Sequence, residues 1–146
     1  MSATFFVLNG PNLNLLGSRE PEVYGSQTLD DIEAMVAARA GELGLAMDFR
    51  QTNHEGVLID WLHEAQREDV AAVLLNAGGY THTSIALLDA IRSIEVPVIE
   101  VHISDPAARE AFRHISYVGM AAAATVQGLG ARSYIVALEK AAALAR

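Results

Sequence analysis

The chain has no cysteine and, among its ten basic residues, a single lysine, Lys140. The first absence rules out disulfides and thiol catalysis and leaves the redox compartment unreadable. The second leaves one position for Schiff-base chemistry, and Lys140 lies in an alanine-rich helical pattern that suits such a role poorly. Positive charge is scarce altogether. Ten Lys and Arg against 18 Asp and Glu give a net charge of −8, which argues against nucleic acid or an anionic membrane as partner. Small anions are not excluded, because a local arginine or a helix N-terminus can hold them. No apolar run is long enough to span a bilayer, and no basic segment followed by an apolar stretch opens the chain. The expectation is a soluble cytoplasmic protein.

Several chemical signatures are also missing. There is no Walker motif and no G-x-S-x-G elbow. The stretch "GLGARS" at 128–133 imitates a dinucleotide fingerprint, but Ser133 stands where the third glycine belongs; it reads as a turn that starts a helix. The five histidines, His54, His63, His82, His102 and His114, show no metal-ligand spacing. Acid–base chemistry with no metal, cofactor or covalent intermediate is what remains.

What is present fits one domain: 146 residues, 51% apolar, with a mean hydropathy of +0.23. That apolar excess leans toward subunit interfaces. Residues 4–9, 70–76 and 96–103 are apolar runs with β-branched residues, and 45–51 and 122–127 are weaker strand candidates. Helical stripes lie between them: Leu29, Ile32, Val36, Ala40 and Leu43; Leu58, Leu62 and Ala65; Ile85, Leu88 and Ile91; Ile135, Leu138 and Ala142. Strands alternating with helices predict an α/β fold, a five-stranded parallel sheet doubly wound in flavodoxin-like order 2-1-3-4-5 with helices on both faces. Ligands in such sheets bind beyond the carboxyl ends of the strands, where the first and third strands diverge.

Three of those strand ends carry chemistry-bearing residues. After the first comes "GPNLNLLGSREPEVYG", with Asn12, Arg19 and Tyr24. After the third comes "NAGGYTHTS", where Asn76 and His82 can bond hydroxyl groups and Thr81 or Thr83 can cap the next helix. Asp89, four residues past Ile85, is either a solvated acid or one that faces a neighbouring subunit. The fourth strand runs "PVIEVHIS". Glu100 and His102 share a face, roughly 7 Å apart by strand rise, and the acid can orient the imidazole as a general acid. Ile103 and Ser104 offer backbone N–H groups and a hydroxyl to an anion. In "AREAFRHIS", Arg109 and Arg113 are expected four apart on a short helix; either is surface charge, or one faces the site and supplies a fixed cation. No general base is found at the strand ends, so Tyr24 is the candidate. Tyrosine ionises near pH 10, and a base working near neutrality needs that lowered by about 2–3 units, which close arginines, Arg19 and then Arg113, can supply in a water-poor site. The long loop would close over the substrate.

Taken together, "NGPNLNLLGSREPEVYG", "NHEGVLIDWLHEA", "LNAGGYTHTSIALLDAI", "PVIEVHIS", "REAFRHIS" and "GLGARSYIVAL" resemble the type II 3-dehydroquinate dehydratases over essentially the whole chain. The resemblance implies reversible anti elimination of water from 3-dehydroquinate, through an enolate, to give 3-dehydroshikimate in the shikimate pathway. It implies Tyr24 as the base at C2, Arg19 as stabiliser of the tyrosinate, and Asn12 as holder of a water near the enolate oxygen. His102, oriented by Glu100, would protonate the departing hydroxyl. Ile103 and Ser104 would meet the carboxylate, and Asn76, His82 and Arg113 the ring hydroxyls. Asp89 would act across a trimer interface, the trimers assembling to a dodecamer. One departure is Asp105-Pro106, where family members commonly carry Asn and a non-proline residue. Aspartate suits an N-cap and proline the first helical position, so the turn should survive. The alternative class is a non-catalytic flavodoxin-like module, either a phospho-receiver, which needs an acidic cluster and a late lysine, or a flavin binder.

Overall fold

The computed structural model describes residues 3–144. Five strands form one parallel sheet: β1 (Thr4–Asn9), β2 (Ala46–Gln51), β3 (Ala72–Asn76), β4 (Val98–Val101) and β5 (Ala124–Val126). Their order is β2-β1-β3-β4-β5, as expected, with every neighbouring pair parallel. Each predicted strand is present and most are shorter than their apolar runs, because residues such as Val70 and Val96 are buried beside the sheet without joining it.

Strand periodicity divides the core into two layers. Phe5, Val7, Ala72 and Leu74 point to one face, where they meet Ile32, Val36 and Ala40 of α2 (Leu29–Glu42) and Tyr134 and Leu138 of α5 (Arg132–Leu144). Phe6, Leu8, Val73 and Leu75 point to the other, against Leu58 and Leu62 of α3 (Glu55–Arg67) and Leu87 and Ile91 of α4 (Ile85–Arg92). Both faces being covered explains why β3, "AVLLN", is buried at every position. One stripe differs from expectation. Ile85 is the first residue of α4 and is exposed, while Leu87 takes its place in the core. The helix has only two turns, and its inner face is set by Leu87, Leu88, Ala90 and Ile91.

Helix starts are built locally. The Thr28 hydroxyl accepts from the Asp31 N–H while the Asp31 carboxylate accepts from the Thr28 N–H, a reciprocal cap for α2. Neither Thr81 nor Thr83 caps α4; the Ser84 hydroxyl does, accepting from the Leu87 N–H at 2.9 Å. The Thr81 hydroxyl is buried with no partner among the described residues. Asp105 accepts from the Ala107 N–H and Pro106 opens the 3-10 turn Pro106–Ala108, so that departure keeps its turn. "GLGARS" is the turn into α5, with the Ser133 hydroxyl accepting from the Leu129 N–H. Among the described residues no helix is long and apolar enough to cross a membrane.

Candidate active site

The carboxyl ends of β1, β3 and β4 open into a cavity of about 190 Å3. That is below the roughly 300–1,000 Å3 of sites for drug-sized ligands, and it favours a small acid over a flavin or dinucleotide. Arg19, Arg109 and Arg113 line it, and among the described residues no carboxylate does. A chain of net charge −8 thus holds a local cationic basin.

The floor is fixed by a close backbone approach. The Gly10 N–H donates to the Asn76 carbonyl at 2.8 Å. A Cβ at Gly10 would stand 2.5 Å from the Ala77 carbonyl oxygen, so no other residue fits between β1 and β3 here. Two residues on, Asn12 adopts φ 69° and its N–H donates to the Asn53 side-chain oxygen at 3.0 Å. The β2–α3 loop therefore holds Asn12 in place at the cavity wall.

On β4, Glu100 is 2% exposed and fully partnered. One carboxylate oxygen accepts from His102 Nε2 at 2.7 Å and from the Ser116 hydroxyl, the other from the Thr125 hydroxyl at 2.7 Å. Burial pushes this carboxyl up, but the bonds from His102, Ser116 and Thr125 outweigh it and leave the group below its usual value. Glu100 is a carboxylate at neutral pH, and it fixes the imidazole plane. With Nε2 engaged, Nδ1 is the ring nitrogen that His102 offers to the cavity.

His82 is held differently. Its Nδ1 pairs with the Ile115 carbonyl at 2.8 Å, which requires that nitrogen to carry the proton. Burial, then the nearby His102 and Arg113 charges, lower its pKa despite that bond. The ring is neutral, so Nε2 is an acceptor, matched to a hydroxyl. The His82 and His102 rings lie nearly parallel with centroids 6.5 Å apart.

Tyr24 closes the short helix α1 (Pro21–Tyr24), which begins at Glu20 in the left-handed region and ends at Gly25. The loop after β1 is thus partly helical. Arg19 stacks on the Tyr24 ring, 4.5 Å from its centroid. Arg109 lies 5.2 Å from the same centroid and donates to the phenol oxygen at 2.7 Å. Guanidinium has no acceptor, so the oxygen must accept, and a negative charge there is met by two cations. Ile103 and Ser104 follow β4. Their carbonyls accept from Gly130 and Gly128, and their own N–H groups have no protein partner among the described residues, as an anion site requires.

The family model for "Dehydroquinase class II" matches residues 3–142. The chain belongs to that family. It is 57% identical over 146 residues to the 3-dehydroquinate dehydratase of Phenylobacterium zucineum strain HLK1, covering all of both chains. It is similar to the crystal structures of type II dehydroquinase from Propionibacterium acnes (TM-score 0.93, 43% identity, 98% of each chain) and from Butyrivibrio crossotus (TM-score 0.94, 36% identity, 96% of this chain and 97% of that one).

In this class II dehydroquinase, Asn12, Arg19, Tyr24, Asn76, His82, His102, Ile103, Ser104 and Arg113 all line one cavity, with Glu100 behind His102. Asp89 does not; it is exposed on α4. The second arginine on Tyr24 is Arg109, not Arg113. The two do not share a helix: Pro106–Ala108 and Ala111–Arg113 are separate 3-10 turns, with Arg109 and Glu110 extended between them. Arg113 pairs with Glu110 at 3.2 Å and stacks on Phe112. Ser116 and Thr125 around Glu100, and Asn9 and Tyr134 around Asn76, were also unforeseen. A buried strand carboxylate demands donors, but only the register Glu100↔Thr125 identifies one of them.

Proposed function

We propose a division of labour among these residues for the reaction that this enzyme catalyses, the dehydration of 3-dehydroquinate to 3-dehydroshikimate. Tyr24, as tyrosinate, takes the proton at C2, next to the carbonyl, and the C–H electron pair moves into an enolate. The enolate then expels the C1 hydroxyl, which leaves as water with a proton from His102, on the opposite face of the ring. The proton on Tyr24 returns to solvent and His102 is reprotonated, so the cycle closes without a covalent intermediate. The observation that carries this assignment is the Arg109 bond to the Tyr24 oxygen at 2.7 Å with Arg19 stacked on the ring. Asn12 has its backbone fixed by Asn53 and keeps its amide for a water at the enolate oxygen. The free N–H groups of Ile103 and Ser104 take the substrate carboxylate. Asn76, neutral His82 and Arg113 take the ring hydroxyls.

Incubation with 3-dehydroquinate should develop the ultraviolet absorbance of a conjugated enone. Tyr24→Phe should lower that rate by about 10²–10⁴ with the fold intact; a rate close to that of the native enzyme would remove Tyr24 as the base.

The cytoplasmic, trimer-based assembly belongs to the same proposal. Exposed Ile85 and Asp89 lie one helical turn apart on α4, and exposed Ile115 and Met120 flank the segment that is tied to Thr81 by the Tyr117 N–H. Such an apolar surface beside an acid suits a subunit contact in which Asp89 approaches a neighbour's site. Sedimentation velocity on the pure enzyme tests it: a multiple of three chains is expected, and a monomer would end it.

A further inference from the structure

Asn9 and Asn76 end the adjacent strands β1 and β3 in register, and both are buried. Between their amides sits the hydroxyl of Tyr134, a fully buried residue of α5. Each contact in this row has a chemically forced direction. The Arg50 carbonyl can only accept, so the Asn9 atom 2.9 Å from it is Nδ2. Asn9 Oδ1 therefore faces Tyr134 and takes its one hydroxyl hydrogen at 2.7 Å. The Tyr134 oxygen is left as an acceptor, and Asn76 Nδ2 donates to it at 2.9 Å. At the far end the Gly78 N–H, which can only donate, meets Asn76 Oδ1 at 3.2 Å. The two ends, a carbonyl and an N–H, impose the same polarity on everything between them.

We infer that Tyr134 is a positioning residue for the dehydratase site: through the Asn9–Tyr134–Asn76 row it locks the Asn76 amide in one orientation, so that the second Nδ2 hydrogen is available to a substrate hydroxyl in the cavity that Asn76 lines. The hydroxyl is suited to this because burial pushes its ionisation well above the ordinary tyrosine value, and it stays a neutral donor–acceptor across the working pH range. Nothing in the sequence pattern marks it; Tyr134 otherwise reads as one more core residue of an apolar helix. The inference rests on the proposal that Asn76 contacts substrate.

Tyr134→Phe keeps the ring and removes only the oxygen. Without it Asn76 is held only by Gly78 and loses the partner that sets its plane. The expected result is a KM about tenfold higher with kcat within about twofold, the pattern of lost ground-state and transition-state binding alike. Asn9→Ala, which removes the acceptor for the Tyr134 hydrogen from the other side, should give the same pattern and serves if Tyr134→Phe folds poorly by circular dichroism. A packing role alone would not predict the decisive readout, which is coupling. If Tyr134 acts through Asn76, the double variant Tyr134→Phe/Asn76→Ala should have the KM of Asn76→Ala alone. An unchanged KM in both Tyr134→Phe and Asn9→Ala, or effects of Tyr134→Phe and Asn76→Ala that multiply, overturns the relay while leaving Asn76 as a substrate contact. An Asn76→Ala enzyme with native KM overturns the contact itself, and the relay with it.

Discussion

Arg109 and Arg113 differ by four positions and have different surroundings. Arg109 reaches the Tyr24 oxygen, whereas Arg113 is paired with Glu110 and stacked on Phe112. Arg109→Ala should therefore reduce kcat by about 10²-fold, the range for loss of a charged group that stabilises developing charge. Arg113→Ala should act mainly on KM. Steady-state kinetics on the two variants separates them; equal kcat losses would mean that both cations serve the base. His82 gives a pH test. Its pKa is lowered by burial and by the His102 and Arg113 charges, so the ring stays neutral to a lower pH than a free histidine, whose value is about 6.5. Its NMR titration should have a midpoint below that value. KM should hold at neutral pH and rise as the pH falls far enough to protonate the ring and remove its acceptor. A midpoint above 6.5 would contradict the neutral-acceptor assignment.

At the scale of elements, β4 and the segment after it act as one unit. Glu100 is fixed by His102 just beyond the end of β4, from β5 by Thr125 and from the connecting loop by Ser116. Room for this carboxylate depends on Gly119: a Cβ there would lie 2.8 Å from Glu100 Oε1 and 3.0 Å from Ser116 Oγ. Gly119→Ala should displace the carboxylate and loosen the His102 ring, lowering kcat by about tenfold or more, since ångström-scale misplacement is costly in a preorganised site. Stability should fall by about 1–3 kcal/mol from the disturbed buried network. Urea unfolding and kcat measured together check this, and a variant that loses stability but keeps kcat would show that the network does not orient His102. The loop after β1 is an element of mixed character. Gly10 is pinned to β3 and Asn12 to Asn53, whereas Arg19 and Tyr24 lie beyond that anchored part, Arg19 just before and Tyr24 at the end of a four-residue helix flanked by Glu20 and Gly25 at positive φ.

Over the whole molecule, acid should destabilise the fold in a definable order. Glu64 of α3 is held at about 2 by its bonds to Arg50 of β2, which is stacked between Phe6 and Trp61. A depressed carboxyl pKa contributes stability that is fully present above the unfolded value, about 4.3, and that is lost as pH falls through the folded one. Glu64→Gln should thus cost about 1–2 kcal/mol near pH 6, a value held down by partial exposure, and almost nothing near pH 2. Urea titrations along that pH series check it; a constant difference would assign the loss to packing. The fold itself was legible from residue order, because "TFFVLN" and "AVLLN" are long enough to bury both sides of a strand and the intervening helices carry apolar stripes. Local signals also marked most of the cavity, since Asn12, Asn76 and His102 fall at or just beyond strand ends, where such sheets place their ligands. By itself the sequence determined the sheet order, the lack of thiol and the unsuitability of the single lysine. It also offered no base at the strand ends, which turned attention to the loop bearing Tyr24. Only the tertiary structure decided which arginine meets that tyrosine, that Ser116 and Thr125 satisfy Glu100, and that Tyr134 stands between Asn9 and Asn76. Those partners are up to 125 positions apart in the chain. Neighbouring residues set backbone conformation, whereas the direction of a long side chain is fixed by whatever distant donor or acceptor the packed fold brings within about 3 Å.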